Sequence, residues 1–97
     1  MDAIKTYRRF DELRKGDYFH AYYPQCRTIK SMRIDAIDEV KRRGGGKCLR
    51  LSYTWGGSVF HISINKNSHV DDHHNGSECI RFYSDINALR DDYGINI

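Results

Sequence analysis

The segment KCLRLSYTWGGSVFHISIN, residues 47–65, restricts the fold more than any other part of the chain. Leu49, Leu51, Tyr53 and Trp55 alternate with Arg50, Ser52 and Thr54, and Phe60, Ile62 and Ile64 alternate with His61 and Ser63. That period of two belongs to strands with one apolar face. Gly56-Gly57 fits a two-residue hairpin turn, in which both central positions take positive φ. The turn fixes the register: Trp55 faces Ser58, Tyr53 faces Phe60, Leu51 faces Ile62 and Leu49 faces Ile64. The three apolar pairs share one face, and a slip of one residue would send them to opposite faces. The other face, with Arg50–Ser63, Ser52–His61 and Thr54–Val59, suits water or a partner.

Other elements follow from weaker signals. Asp11 caps a short helical turn, Leu13 points inward and Gly16 stops it. Tyr18 to Tyr23 reads as an aromatic-rich strand ended by Pro24, the sole proline. Residues 28–43 carry two readings. Met32, Ile34, Ala36 and Val40 share strand parity, while Asp35 is placed to cap a short helix running to Arg43. The strand is favoured, because Ile34 falls off the helical stripe and so short a helix gains little alone. Cys79 to Tyr83 reads as a further strand. SDINALRDDYG reads as a helix capped by Ser84, with Ile86, Leu89 and Tyr93 buried and Gly94 as its stop. The first eight residues stay open between helix and edge strand, and the terminal INI is a candidate strand. The expected architecture is α+β, mainly β, in one domain over residues 1–97: about five antiparallel strands in a small barrel or bent sheet, with a short C-terminal helix.

FDELRKGDYFHAYY, with Leu13, Gly16 and Asp17, resembles the opening of Src-homology-type small β-barrels, and the order of elements is similar over roughly residues 10–83. The resemblance implies a module that binds peptides, proteins or nucleic acid, and it carries no functional residues across. The small size and tyrosine-rich composition also resemble accessory proteins of phages and mobile elements, which implies a host protein as target and inhibition as the effect.

The densest polar run is SHVDDHHNGSEC, residues 68–79. His69 and His73 have zinc-helix spacing, but the surrounding Asn, Gly and Ser read as a loop, and Val70 stands where that motif carries a glutamate. The run also mimics a calcium loop until its twelfth position, which holds Phe82 instead of glutamate. A polar loop joining two strands is the expectation, with no metal and no cofactor. For catalysis, Cys26 or Cys48 with His61, and His20 with Asp17, are the conceivable pairs. GGGK at 44–47 lacks the spacing of a phosphate loop. A non-enzyme is expected.

Charge is uneven. Residues 1–50 hold thirteen Lys/Arg against seven Asp/Glu, and residues 51–97 hold three against six. Cations interleaved with tyrosines support nucleic-acid binding as the alternative function. The modest net charge of +3 and the acids at 71, 72, 78, 85, 91 and 92 weigh against it. The leading expectation is a protein-binding module with Tyr22, Tyr23, Arg42, Arg43, Trp55 and Tyr83 as contact residues, since aromatic and arginine side chains anchor interfaces. An edge strand also offers a route to a homodimer, so monomer and homodimer both stand. Three cysteines without close pairing fit a reducing cytoplasm. No apolar run approaches the roughly 20 residues of a spanning helix, and no signal peptide is visible.

Overall fold

The computed structural model describes residues 7–75 and 78–95, and the side chains of all of these except 73–75, 78 and 79. The expectations for residues 1–6, for Asn96-Ile97, and for the side chains of His73, His74 and Cys79 therefore lie outside the described residues.

A 3-10 turn at Phe10–Glu12 precedes seven strands: β1 Tyr18–Tyr23, β2 Thr28–Arg33, β3 Ala36–Lys41, β4 Lys47–Trp55, β5 Ser58–Ile64, β6 Val70–Asn75 and β7 Glu78–Tyr83. Helix α1, Ile86–Tyr93, follows. The strands form two antiparallel sheets, one ordered β2-β1-β7-β6 and the other β3-β4-β5. The expectation of five strands is thus corrected to seven, and the barrel alternative to two separate ladders with no closure among the described residues.

The glycine hairpin has the register its sequence demands: Trp55↔Ser58, Tyr53↔Phe60, Leu51↔Ile62 and Leu49↔Ile64. Both turn glycines take positive φ, 60° and 83°. Residues 28–41 are extended, as favoured, but as two strands that belong to different sheets. The change of sheet occurs at Ile34-Asp35. Ile34 N donates to Asp17 O at 2.8 Å, which extends the first sheet, and Asp35 N donates to Ser52 O at 2.7 Å in the second. A strand that switches sheets at a bend makes a sandwich corner. Ile34 is fully buried there.

Within the polar run 68–79, residues 70–75 and 78–79 are strand, which corrects the expected loop there. Val70–Asn75 pairs along its length with β7, from Val70↔Tyr83 to Asn75↔Glu78. The backbone hydrogen bonds of the ladder hold this strand, since VDDHHN has neither apolar alternation nor high strand propensity.

The main core lies between the sheets. Phe10 and Leu13 from the entry turn, Phe19 and Ala21 from β1, Met32 from β2, Leu49 and Leu51 from β4, Ile62 and Ile64 from β5, and Phe82 from β7 form one cluster with Ile34. The outer face of the first sheet carries a second cluster, where Tyr83 packs with Ala88 and Leu89 of α1 and with Tyr7, Tyr22, Ile29, Val70 and Ile95 at its margin. The layers are therefore helix, four-stranded sheet, three-stranded sheet. Alternation along β1 feeds both clusters: Phe19, Ala21 and Tyr23 face the other sheet, and Tyr22 faces the helix.

The helix cap differs from the expectation. Asp85 is the N-cap, and its carboxylate accepts from Asn87 N at 2.8 Å. Ser84 is buried and donates instead to the carbonyls of Arg8 and His69. Asp85→Ala is expected to cost about 1 kcal/mol through loss of this cap. A domain of this size should show that as a fall in melting temperature of roughly 4–8 °C. Gly94 ends the helix in the left-handed region, as its sequence position implies. Ala88 and Leu89 are the buried residues of α1, while Tyr93 is 39% exposed, which corrects the expected stripe of Ile86, Leu89 and Tyr93. Tyr93 still reaches the sheet with its ring, 4.6 Å from that of Tyr22 and 6.2 Å from that of Tyr83. No described helix is long and apolar enough to cross a membrane.

Candidate functional site

The inner face of the β4–β5 hairpin is longer than the sheet it covers. Leu49, Leu51, Ile62 and Ile64 reach the core, but the same face continues to Tyr53, Phe60 and Trp55 near the turn. Tyr53 is half-buried, Phe60 is 43% exposed and Trp55 is 48% exposed. Opposite them the first sheet contributes the ends of β1 and β2, with Tyr23 and Lys30. The result is an aromatic cleft at one end of the seam between the sheets.

Ring contacts tie this cleft to the core. Tyr53 and Phe60 stack with centroids 5.5 Å apart, and Tyr53 meets Phe19 edge-on at 5.4 Å. Phe19 in turn lies 5.9 Å from Phe82. Lys30 Nζ sits 4.5 Å from the centroid of Tyr23 and 5.4 Å from that of Trp55. Both distances lie within cation–π range. A cleft of about 100 Å³ opens between Tyr23, Lys30, Met32, Tyr53, Trp55 and Phe60. Burial, with a smaller contribution from Tyr23, pushes the Tyr53 phenol above its ordinary value, so its ring stays neutral at physiological pH. The lysine supplies the charge of the cleft.

The six sequence candidates separate into three places. Tyr23 and Trp55 meet at the cleft through Lys30. Tyr22 is on the other face of β1, with its ring 4.6 Å from Tyr93. Tyr83 faces the same side and is fully buried, so its expected exposure is corrected. Its hydroxyl donates to Asp92 at 2.9 Å, and burial and that carboxylate together raise its pKa. Arg42 and Arg43 lie in the β3–β4 turn, held by Arg42 N to Gly46 O at 2.9 Å. That turn adjoins Lys47, and Trp55 is at the far end of the same strand. Eight residues at about 3.3 Å each put the arginines roughly 26 Å from the tryptophan. Lys30 is one of the cations weighed for nucleic acid and not one of the expected protein contacts, which also omit Tyr53 and Phe60. The hairpin register itself held a signal for the last two, because it continues the apolar face past the last aliphatic pair.

The catalytic pairs conceived from the sequence are not assembled. His61 Nδ1 is 2.8 Å from Ser52 Oγ, its cross-strand partner. Cys48 shares that face but lies four residues along β4 from Ser52, roughly 13 Å away. Cys26 is exposed in the β1–β2 turn. Asp17 accepts from Arg14 N and from Arg8 Nη2, each at 2.9 Å, and these bonds hold its carboxyl below the usual carboxylate range. His20 Nδ1 is 2.7 Å from Ser31 Oγ instead of pairing with Asp17. Among the described residues no three His, Cys, Asp or Glu gather as a metal site. His69 packs its ring 5.3 Å from that of Tyr7.

Burial lowers the pKa of His20, with Asp85 opposing and Arg90 reinforcing the shift. The fold therefore favours the neutral ring. The unfolded chain takes up the proton first as pH falls below about 6.5. His20 contributes its full stabilisation above that value and loses it as pH drops toward the lowered folded value. The wild-type chain should lose more stability than His20→Gln between about pH 7.5 and 5.5, as read from denaturant midpoints. An identical loss would show that the ring titrates normally.

Other surface grooves are mixed in charge. One of about 590 Å³ opens where the entry turn meets β3 and is lined by Asp11, Asp35 and Glu39 as well as Arg14, Lys15 and Lys66. Compared with known protein families, curated proteins and solved structures, the chain matches none.

Proposed function

We propose that this chain is a small non-catalytic module that binds another protein through the aromatic cleft of Tyr23, Lys30, Tyr53, Trp55 and Phe60. The observation that carries the reading is the half-exposed Trp55 and Phe60 on the core-facing side of a hairpin. Large rings in that position remain partly wet in the isolated chain, and a partner surface would bury them. Tryptophan and tyrosine set in a pocket with a cation are the residue types that dominate interface energetics. The cytoplasm as location, and a phage or mobile-element origin with a host protein as the inhibited target, complete the proposal on size, cysteine usage and composition.

Nucleic acid is the second reading, favoured by ring faces beside a lysine. The spacing of charges weighs against it. A strand-tracking groove needs several cations along the backbone path, whereas Arg42 and Arg43 lie roughly 26 Å from Trp55. Filter retention of a labelled single-stranded oligonucleotide decides between the two. The protein reading expects no retention at low salt that depends on Trp55. Retention that falls steeply with salt and is lost in Trp55→Ala would replace it with the nucleic-acid reading.

A further inference from the structure

Lys30 differs from the ion-paired cations of this surface in what holds it. Arg8 pairs with Asp17 at 2.9 Å, Arg81 with Asp72 at 3.0 Å and Lys47 with Glu39 at 3.3 Å. Among the described residues no carboxylate comes within ion-pair distance of Lys30. Its ammonium is held instead above the rings of Tyr23 and Trp55. Those rings restrict the long side chain before any partner arrives, which lowers the entropic cost of using it. They also leave the ammonium with donors to spare, since π faces accept no full hydrogen bond.

The cleft beneath has its own size requirement. Its volume is about 100 Å³. That is several times the roughly 30 Å³ of one water and smaller than the roughly 150 Å³ cavity that admits benzene. An aliphatic side chain of valine or leucine size fits there. Its lining is Met32 and the rings of Tyr23, Tyr53, Trp55 and Phe60, with Lys30 at the rim, so a thioether and ring carbons meet an apolar occupant.

We propose that the module recognises an acidic-aliphatic peptide segment of its partner, with an Asp or Glu carboxylate on Lys30 Nζ and a Val, Leu or Ile one or two residues away in the cleft. This rests on the docking reading above and adds the chemistry of the occupant. The positive charge at the rim and the apolar floor together select for that pairing.

Selection of random peptides of about twelve residues on the immobilised full chain tests it. The expected result is enrichment of Asp or Glu within two residues of Val, Leu or Ile. Lys30→Ala should weaken capture of the selected peptides about tenfold or more. Lys30→Glu should reverse the preference toward Lys and Arg. Both variants keep the strand pairing, which amide chemical shifts verify. Selected peptides with no acidic preference, or an acidic preference unchanged in Lys30→Glu, overturn the inference. Peptides that need Trp55 but ignore Lys30 overturn the acidic occupant and leave the docking surface standing. Enrichment indifferent to both residues overturns the docking surface as well.

Discussion

Phe19→Ala is expected to remove about 3–5 kcal/mol of stability, the usual loss for deleting a buried ring. Phe19 is fully buried on the inner face of β1. It touches Tyr53 of the second sheet at 5.4 Å and Phe82 of its own sheet at 5.9 Å, so one side chain joins both layers. A small domain carries roughly 5–15 kcal/mol in total, so the variant should sit near the edge of folding at room temperature. Urea denaturation followed by far-ultraviolet dichroism measures the loss. A change below about 1 kcal/mol would mean that the two sheets do not share this core. The same deletion should also disturb the cleft, because Tyr53 rests on Phe19 and Phe60 rests on Tyr53.

The second large effect separates binding from folding. Trp55→Ala should lower affinity for the protein partner by about 2–4 kcal/mol, the range of an interface hot spot. Its effect on folding should stay below about 1 kcal/mol, because Trp55 is 48% exposed and lies outside the main cluster. A partner surface would desolvate the indole that the free chain leaves wet. Equal losses in stability and affinity would instead make Trp55 a structural ring.

The sequence was most readable where local and non-local demands coincide. Gly56-Gly57 dictates a turn, and the Leu/Ile alternation on either side agrees with the register that turn sets. The bend at Ile34-Asp35 was harder, because nothing local marks a strand that leaves one sheet for another. The strand Val70–Asn75 was illegible for a stronger reason. Apart from Val70 its residues are polar or charged, and its conformation comes from pairing with Glu78–Tyr83. Tertiary pairing there overrides composition.

The candidate site was half legible. Trp55 and Tyr23 follow from residue type and strand position. Alternation along Tyr18–Tyr23 already implied that Tyr22 and Tyr23 face opposite ways, which explains why Tyr22 meets the helix. Tyr83 was placed as an exposed anchor, but it is covered by α1, a contact between elements that strand parity cannot reveal. Lys30 became part of the cleft through the approach of the two sheets. No spacing in the chain encodes that juxtaposition, since Lys30 and Trp55 are on strands that do not pair.

The most direct test of the docking surface is isotope-ratio affinity capture from lysate, comparing the wild-type chain with Trp55→Ala and with Tyr18→Ala. Tyr18 is 51% exposed on the helix side of β1 and serves as a control for loss of any exposed ring. Wild type and Tyr18→Ala should capture one protein equally, and Trp55→Ala at least about tenfold less of it. Capture retained by Trp55→Ala, or lost in Tyr18→Ala, would contradict the docking surface.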